Sequence, residues 1–78
     1  MNVRQELDEL RTISPGAATI AWEVEQVEHA FAASEINQEE RAYLLNEIRD
    51  IKAANLLANE ENAMRLAVSA INILLAVA

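Results

Sequence analysis

The chain has 78 residues, of which 53% are hydrophobic, with no cysteine, one histidine and a formal net charge of −7. These values exclude a disulfide framework and an ordinary thiolate or multi-histidine metal site, and they disfavour nucleic acid and anionic membranes, which need a basic surface. With one Gly and one Pro there is almost no material for β-turns, so residues 1–78 are expected to form a single all-α domain.

A first short helix is predicted over about residues 2–11, with Val3, Leu7 and Leu10 on its apolar side and Glu6, Asp8 and Glu9 outside. Ser14 is then a ready N-cap, and Pro15 falls at a first helical position where its missing N–H costs nothing. The second helix, 15–33, carries one apolar stripe of Ala17, Ile20, Val24, Val27 and Phe31, which should face a core.

Asn37 and Glu40 have the spacing of a capping box and open a third helix, 38–57, whose stripe reads Leu44, Ile48, Ile51, Asn55 and Ala58 with Leu45 and Leu56 on its shoulder. The pattern changes phase around Asn59, which is placed as the cap of a fourth helix, 60–77. A single rod over 38–78, about 60 Å long at about 1.5 Å per residue, is the competing arrangement.

The fourth helix confines its polar groups Glu61, Asn62, Arg65, Ser69 and Asn72 to one narrow strip. Its remaining apolar arc is wider than the roughly 100° a helix on one side of a small bundle needs to bury. The surplus predicts an oligomer interface built from Leu66, Ala67, Ala70, Ile71, Ile73, Leu74 and Val77. A central helix wrapped by the other three would use the same residues internally. The fold class is thus an all-α bundle of three to four helices, or a helical hairpin, oligomeric through its C-terminal helix.

Trp22 and His29 lie seven residues apart on the second helix, away from its main stripe and beside Glu25. A tryptophan there is a natural interface anchor, so Trp22, His29 and Glu25 form a candidate partner surface. Cover by another helix of the same chain is the alternative for Trp22. No metal site is expected: the Glu-x-x-His pattern of di-iron bundles is missing, since Gln26 stands three residues before His29. Nor is there an oxyanion turn for Ser14, Ser34 or Ser69, or a glycine-rich phosphate cradle, so no enzyme and no cofactor are expected. The acids Glu23, Glu25 and Glu28 are read as a solvated face rather than a DNA mimic.

Residues 29–78 place Ile36, Asn37, Glu39 and Glu40 ahead of Tyr43, Leu44, Leu45 and Ile48, followed by a charged bend and an Ala-rich apolar helix from Ala63. This order resembles small uncharacterised all-helical accessory or virion proteins of tailed bacteriophages, with Arg41 and Ala42 departing from the usual residues. The resemblance implies a virion-associated or accessory role, and carries no functional residue with it.

The functional expectation is a small self-associating assembly or structural protein that acts by protein–protein interaction. The alternative is an acidic inhibitor or sequestering protein for another protein or a small ligand. The opening MNVRQELDEL lacks an apolar signal core, and the uncharged stretch after Arg65 has 13 residues where a span needs about 20, so a cytoplasmic protein, or a virion component if phage-derived, is expected.

Overall fold

The computed structural model describes residues 3–77. The elements run α1 (Val3–Ile13), α2 (Pro15–Ala32), α3 (Gln38–Glu47), a π-helical turn (Ile48–Lys52), α4 (Ala53–Leu56) and α5 (Glu61–Ala76), with no strand among the described residues. Since α3, the π turn and α4 follow without a break, the chain forms four rods. The expected helix bounds agree to within about two residues, apart from the start at residue 2, which lies outside the described residues.

Local chemistry accounts for the ends. The Ser14 hydroxyl oxygen accepts the Ala17 N–H at 3.1 Å, with Pro15 opening α2. At the other end the Ser34 N–H donates to the Phe31 carbonyl at 3.0 Å, and the Glu35 N–H to the Ala30 carbonyl at 2.8 Å. This is a Schellman closure whose left-handed position, φ 61°, is held by Ser34 instead of glycine. Asn37 Oδ1 accepts the Glu40 N–H at 2.8 Å and Glu40 Oε1 accepts the Asn37 N–H at 3.0 Å, so the expected capping box is formed.

The π turn changes which residues of the third rod face inward. In α3 the buried positions are Arg41 and Leu45, followed by Ile48, a spacing of four and three. The next buried positions are Ala53 and Leu57, so one step of five is inserted across the turn, where the Ala53 N–H reaches the Ile48 carbonyl. An undisturbed helix would have put Ile51 and Asn55 inside, as the sequence spacing suggested. The extra residue re-phases the face instead, leaving Ile51 and Leu56 in water and substituting Ala53 and Leu57.

Between α4 and α5 the chain turns through Leu57–Glu60, with the Glu60 N–H donating to the Leu57 carbonyl at 3.0 Å. A hairpin therefore replaces the single-rod alternative; the longest extent of the molecule is 34 Å. Asn59 does not cap α5 as expected: the cap position is Glu60, and it makes no side-chain hydrogen bond to the helix. Nearby, a Cβ on Gly16 would stand 3.1 Å from the Leu56 carbonyl oxygen, so glycine lets the start of α2 approach the end of the third rod.

The core gathers Leu7 and Leu10 of α1, Ile20, Ala21 and Val24 of α2, Leu45, Ile48 and Leu57, and Ala63, Ala67, Ala70, Ile71 and Leu74 of α5. Each large, fully buried aliphatic side chain among these contributes roughly 2 kcal/mol by leaving water. Two sequence expectations need correction. Phe31 is partly exposed at the end of the α2 stripe, and Glu6, expected outside, is buried between helices.

The placement of α5 also corrects its proposed role. Ala67, Ala70, Ile71 and Leu74 are buried within the single chain, because α1 and α2 both pack on this helix. Small alanine side chains let those helices come close, and the apolar arc that exceeded one contact is shared among several. Leu66 and Ile73 are half-buried and Val77 is exposed, so only these three of the seven predicted interface residues offer surface to a neighbour.

Candidate functional site

The second helix is where most inter-helix charges converge. Glu25 accepts from Arg11 of α1, Glu28 from Arg41 of α3, and Glu23 from Lys52 of the π turn. The three acids are therefore ties to three different elements, not a free solvated face. Arg41 is the most buried of these cations, with 4% of its side chain exposed. Its Nε and Nη2 donate to the two Glu28 oxygens at 2.8 and 2.9 Å, Nη2 also reaches the Leu74 carbonyl at 3.0 Å, and the guanidinium lies 5.2 Å from the Phe31 ring centroid.

A second hub stands at the π turn. Arg49 donates to Asn46 Oδ1 and to Asn72 Oδ1, each at 2.7 Å, and to Asp50, which ties the outer side of the third rod to α5. The Arg49 bond holds the Asp50 carboxyl below its ordinary value. The Lys52 ammonium is held above its ordinary value by the Glu23 hydrogen bond first, with Glu47 adding a smaller attraction.

Beside these ties lies an apolar face that the chain does not cover. Trp22 is 60% exposed, Tyr43 67% and Ile51 55%. Trp22 borders a groove of about 280 Å³ between α2 and the third rod, walled by Val27, Leu44 and Ile48. Tyr43 and Ile51 border a shallower depression, and Glu47 belongs to the rims of both, so the two are neighbours on one surface. Trp22 stands off the Ile20/Val24 stripe by half a turn, Tyr43 lies two residues from Arg41, and Ile51 is turned out by the π residue. All three exposures thus follow from helical phase.

No family model, curated protein or solved structure matches this chain. The assignment of a site rests on the geometry. Of the predicted partner surface, Trp22 is exposed at the groove facing α3, whereas Glu25 and His29 line a separate groove toward α1, with Glu25 committed to Arg11. The structure therefore divides that trio between two clefts. Among the described residues there is no group of three or more His, Cys, Asp or Glu that could hold a metal, and no helix long and apolar enough to cross a membrane.

Sequence reasoning missed Arg41, Tyr43 and Ile51 as site residues. A signal for Arg41 existed: it stands four residues before Leu45 and seven before Ile48, on the inward stripe. A cation at such a position needs a buried acid, and Glu28 holds the matching place four after Val24. No spacing rule announces the π turn, so Ile51 was not recoverable in the same way.

Proposed function

We propose that this protein is a small helical assembly component that associates with a second copy of itself through the face bearing Trp22, Tyr43, Leu44 and Ile51. The observation that carries the reading is that three large, mostly exposed side chains border two adjoining depressions: Trp22 the groove that Val27, Leu44 and Ile48 help to wall, and Tyr43 and Ile51 the depression that shares Glu47 with it. A tryptophan at the edge of such a groove is the usual chemistry of an interface anchor, and truncating one costs about 2 kcal/mol or more of binding.

A second copy fits better than a strongly charged partner, because the charges on the groove rim are largely matched within the chain: Lys52 is paired with Glu23, with Glu47 beside them. A two-fold contact would seat Trp22 of each protomer in the groove of the other. A chain of 78 residues is small enough to benefit from the added burial. The bacteriophage-like pattern over residues 29–78 agrees with such an accessory or virion-associated role. The competing inhibitor reading loses Glu23, Glu25 and Glu28 as a free acidic surface, since each is engaged within the chain.

Light scattering across a hundredfold concentration range tests this. A dimer is expected, with Trp22→Ala and Ile51→Ser shifting it to monomer while helicity is unchanged, and with Ile73→Ser on α5 leaving it intact. A monomer at every concentration, or a dimer indifferent to Trp22→Ala, rejects the proposal.

A further inference from the structure

The polar ties between helices leave α1 almost outside them. Arg41 joins α3 to Glu28 of α2 and to the Leu74 carbonyl of α5, Lys52 reaches Glu23 of α2, and Arg49 reaches Asn72 of α5. These bonds cross-link α2, the third rod and α5. By contrast α1 packs on α2 and α5 alone, and among the described residues the ion pair that leaves it is Arg11 with Glu25, both partly exposed. A pair so solvated contributes little.

The remaining hold on α1 is apolar and short. It buries Leu7 and Leu10, with Val3 partly covered, and clefts of about 440 and 530 Å³ run along it on the α2 and α5 sides. The third residue it buries is Glu6, only 3% exposed, whose Oε1 is buried with no hydrogen-bond partner among the described residues. Arg65, Asn62 and Ser69 line the α5 cleft without donating to that oxygen. The docked position of α1 therefore carries a desolvation cost that disappears once Glu6 meets water.

The joint is a single residue. Ser14 alone separates the two helices, in an extended conformation with φ −165° and ψ 164°. Pro15 disfavours a helical Ser14, so α1 and α2 do not fuse into one rod when α1 moves. The start of α2 is complete without α1, since Ser14 Oγ accepts the Ala17 N–H and the Ser14 carbonyl accepts the Ala18 N–H at 2.9 Å.

We propose that α1 is a releasable latch: it swings about Ser14 while α2, the third rod and α5 stay folded, and the buried Glu6 carboxyl sets how often it opens. The open form uncovers the sides of α2 and α5 on which α1 packs. The groove beside Trp22 is lined by no α1 residue, so the latch is independent of that face.

Native-state hydrogen exchange of the full-length protein, followed residue by residue in low denaturant, tests this. Amides of residues 7–13 are expected to exchange through one shared opening, at least tenfold more often than those of Val24 and Ile71. Ile48→Val, in a rod that does not pack on α1, is expected to speed exchange at Val24 and Ile71 several-fold and to leave residues 7–13 unchanged. Glu6→Leu is expected to slow exchange over residues 7–13 at least tenfold. Exchange of α1 in step with Val24 and Ile71, or equal acceleration of all of them by Ile48→Val, overturns the latch. Faster or unchanged exchange of α1 in Glu6→Leu, or loss of its fold, overturns the role given to Glu6.

Discussion

Arg41 donates to the backbone carbonyl of Leu74 at 3.0 Å, thirty-three residues away, while the same guanidinium grips Glu28. One side chain therefore joins α2, α3 and α5. Arg41→Met should destabilise the fold by about 3 kcal/mol, because Glu28 keeps its charge and the Leu74 carbonyl loses its donor. Pairing it with Glu28→Met should recover about 1 kcal/mol or more. Chemical denaturation of the two single variants and the double variant measures both.

The π turn predicts an unusual tolerance to deletion. Removing Ile51 shortens the step from Ile48 to Ala53 from five residues to four, which an ordinary α-helix accommodates with both buried positions kept inside. The deletion should leave stability within about 1 kcal/mol of the parent, whereas deleting Ala42 rotates every later inward residue by about 100° and should unfold the protein. Circular dichroism melts separate the outcomes.

Ser34 occupies a left-handed backbone position that closes α2. Ser34→Gly removes the Cβ penalty and should stabilise the protein by about 1 kcal/mol, the gain being reduced by the greater freedom of glycine in the unfolded chain. A higher denaturation midpoint with an unchanged denaturant slope would establish it; a lower one would show that the Ser34 side chain contributes more than its backbone costs.

The two faces of α5 should respond differently. Ile71 is fully buried and Ile73 half-buried. Ile71→Ala should cost about 3 kcal/mol, cavity included, and Ile73→Ala about 1 kcal/mol. Unfolding curves at two protein concentrations should give the same difference, since the Ile71 loss lies inside one chain.

Lys52 and Asp50 set the pH response at the π turn. The folded-state value of Lys52 is raised above its ordinary 10.5, so its contribution is complete below that pH and is lost as pH rises through the folded value. Asp50 is lowered, so its contribution is present above its ordinary 3.8 and is lost as pH falls through the folded value. Thermal midpoints of Lys52→Met should meet those of the parent at the alkaline end, and those of Asp50→Asn at the acid end.

The helices were legible because their ends are written locally. Ser14 with Pro15, and Asn37 with Glu40, are short-range hydrogen-bonding arrangements that need no tertiary partner. The stripe on α2 was also readable up to Val27, because regular helical phase persists through it. Phase failed at Ile48–Lys52, where a one-residue insertion is stabilised by packing on both sides and by Arg49 reaching Asn72. The destination of the α5 apolar arc was equally illegible, since periodicity measures how much surface must be covered and is silent on whether the cover comes from the same chain. Glu6 escaped for a related reason: glutamate on a short helix is ordinarily solvated, and only the approach of α5 buries it.

The packing of α1 against both α2 and α5 has a consequence for the order of events during synthesis. Leu7 and Leu10 can find α2 as soon as the intervening turn at Ser14 has formed, but the cover that α5 gives α1 is translated only after α2 and the whole third rod. On the ribosome, α1 and α2 would make an early helical hairpin with one apolar side open. The wait for α5 is a window in which that hairpin is exposed to chaperones and to like hairpins emerging from neighbouring ribosomes.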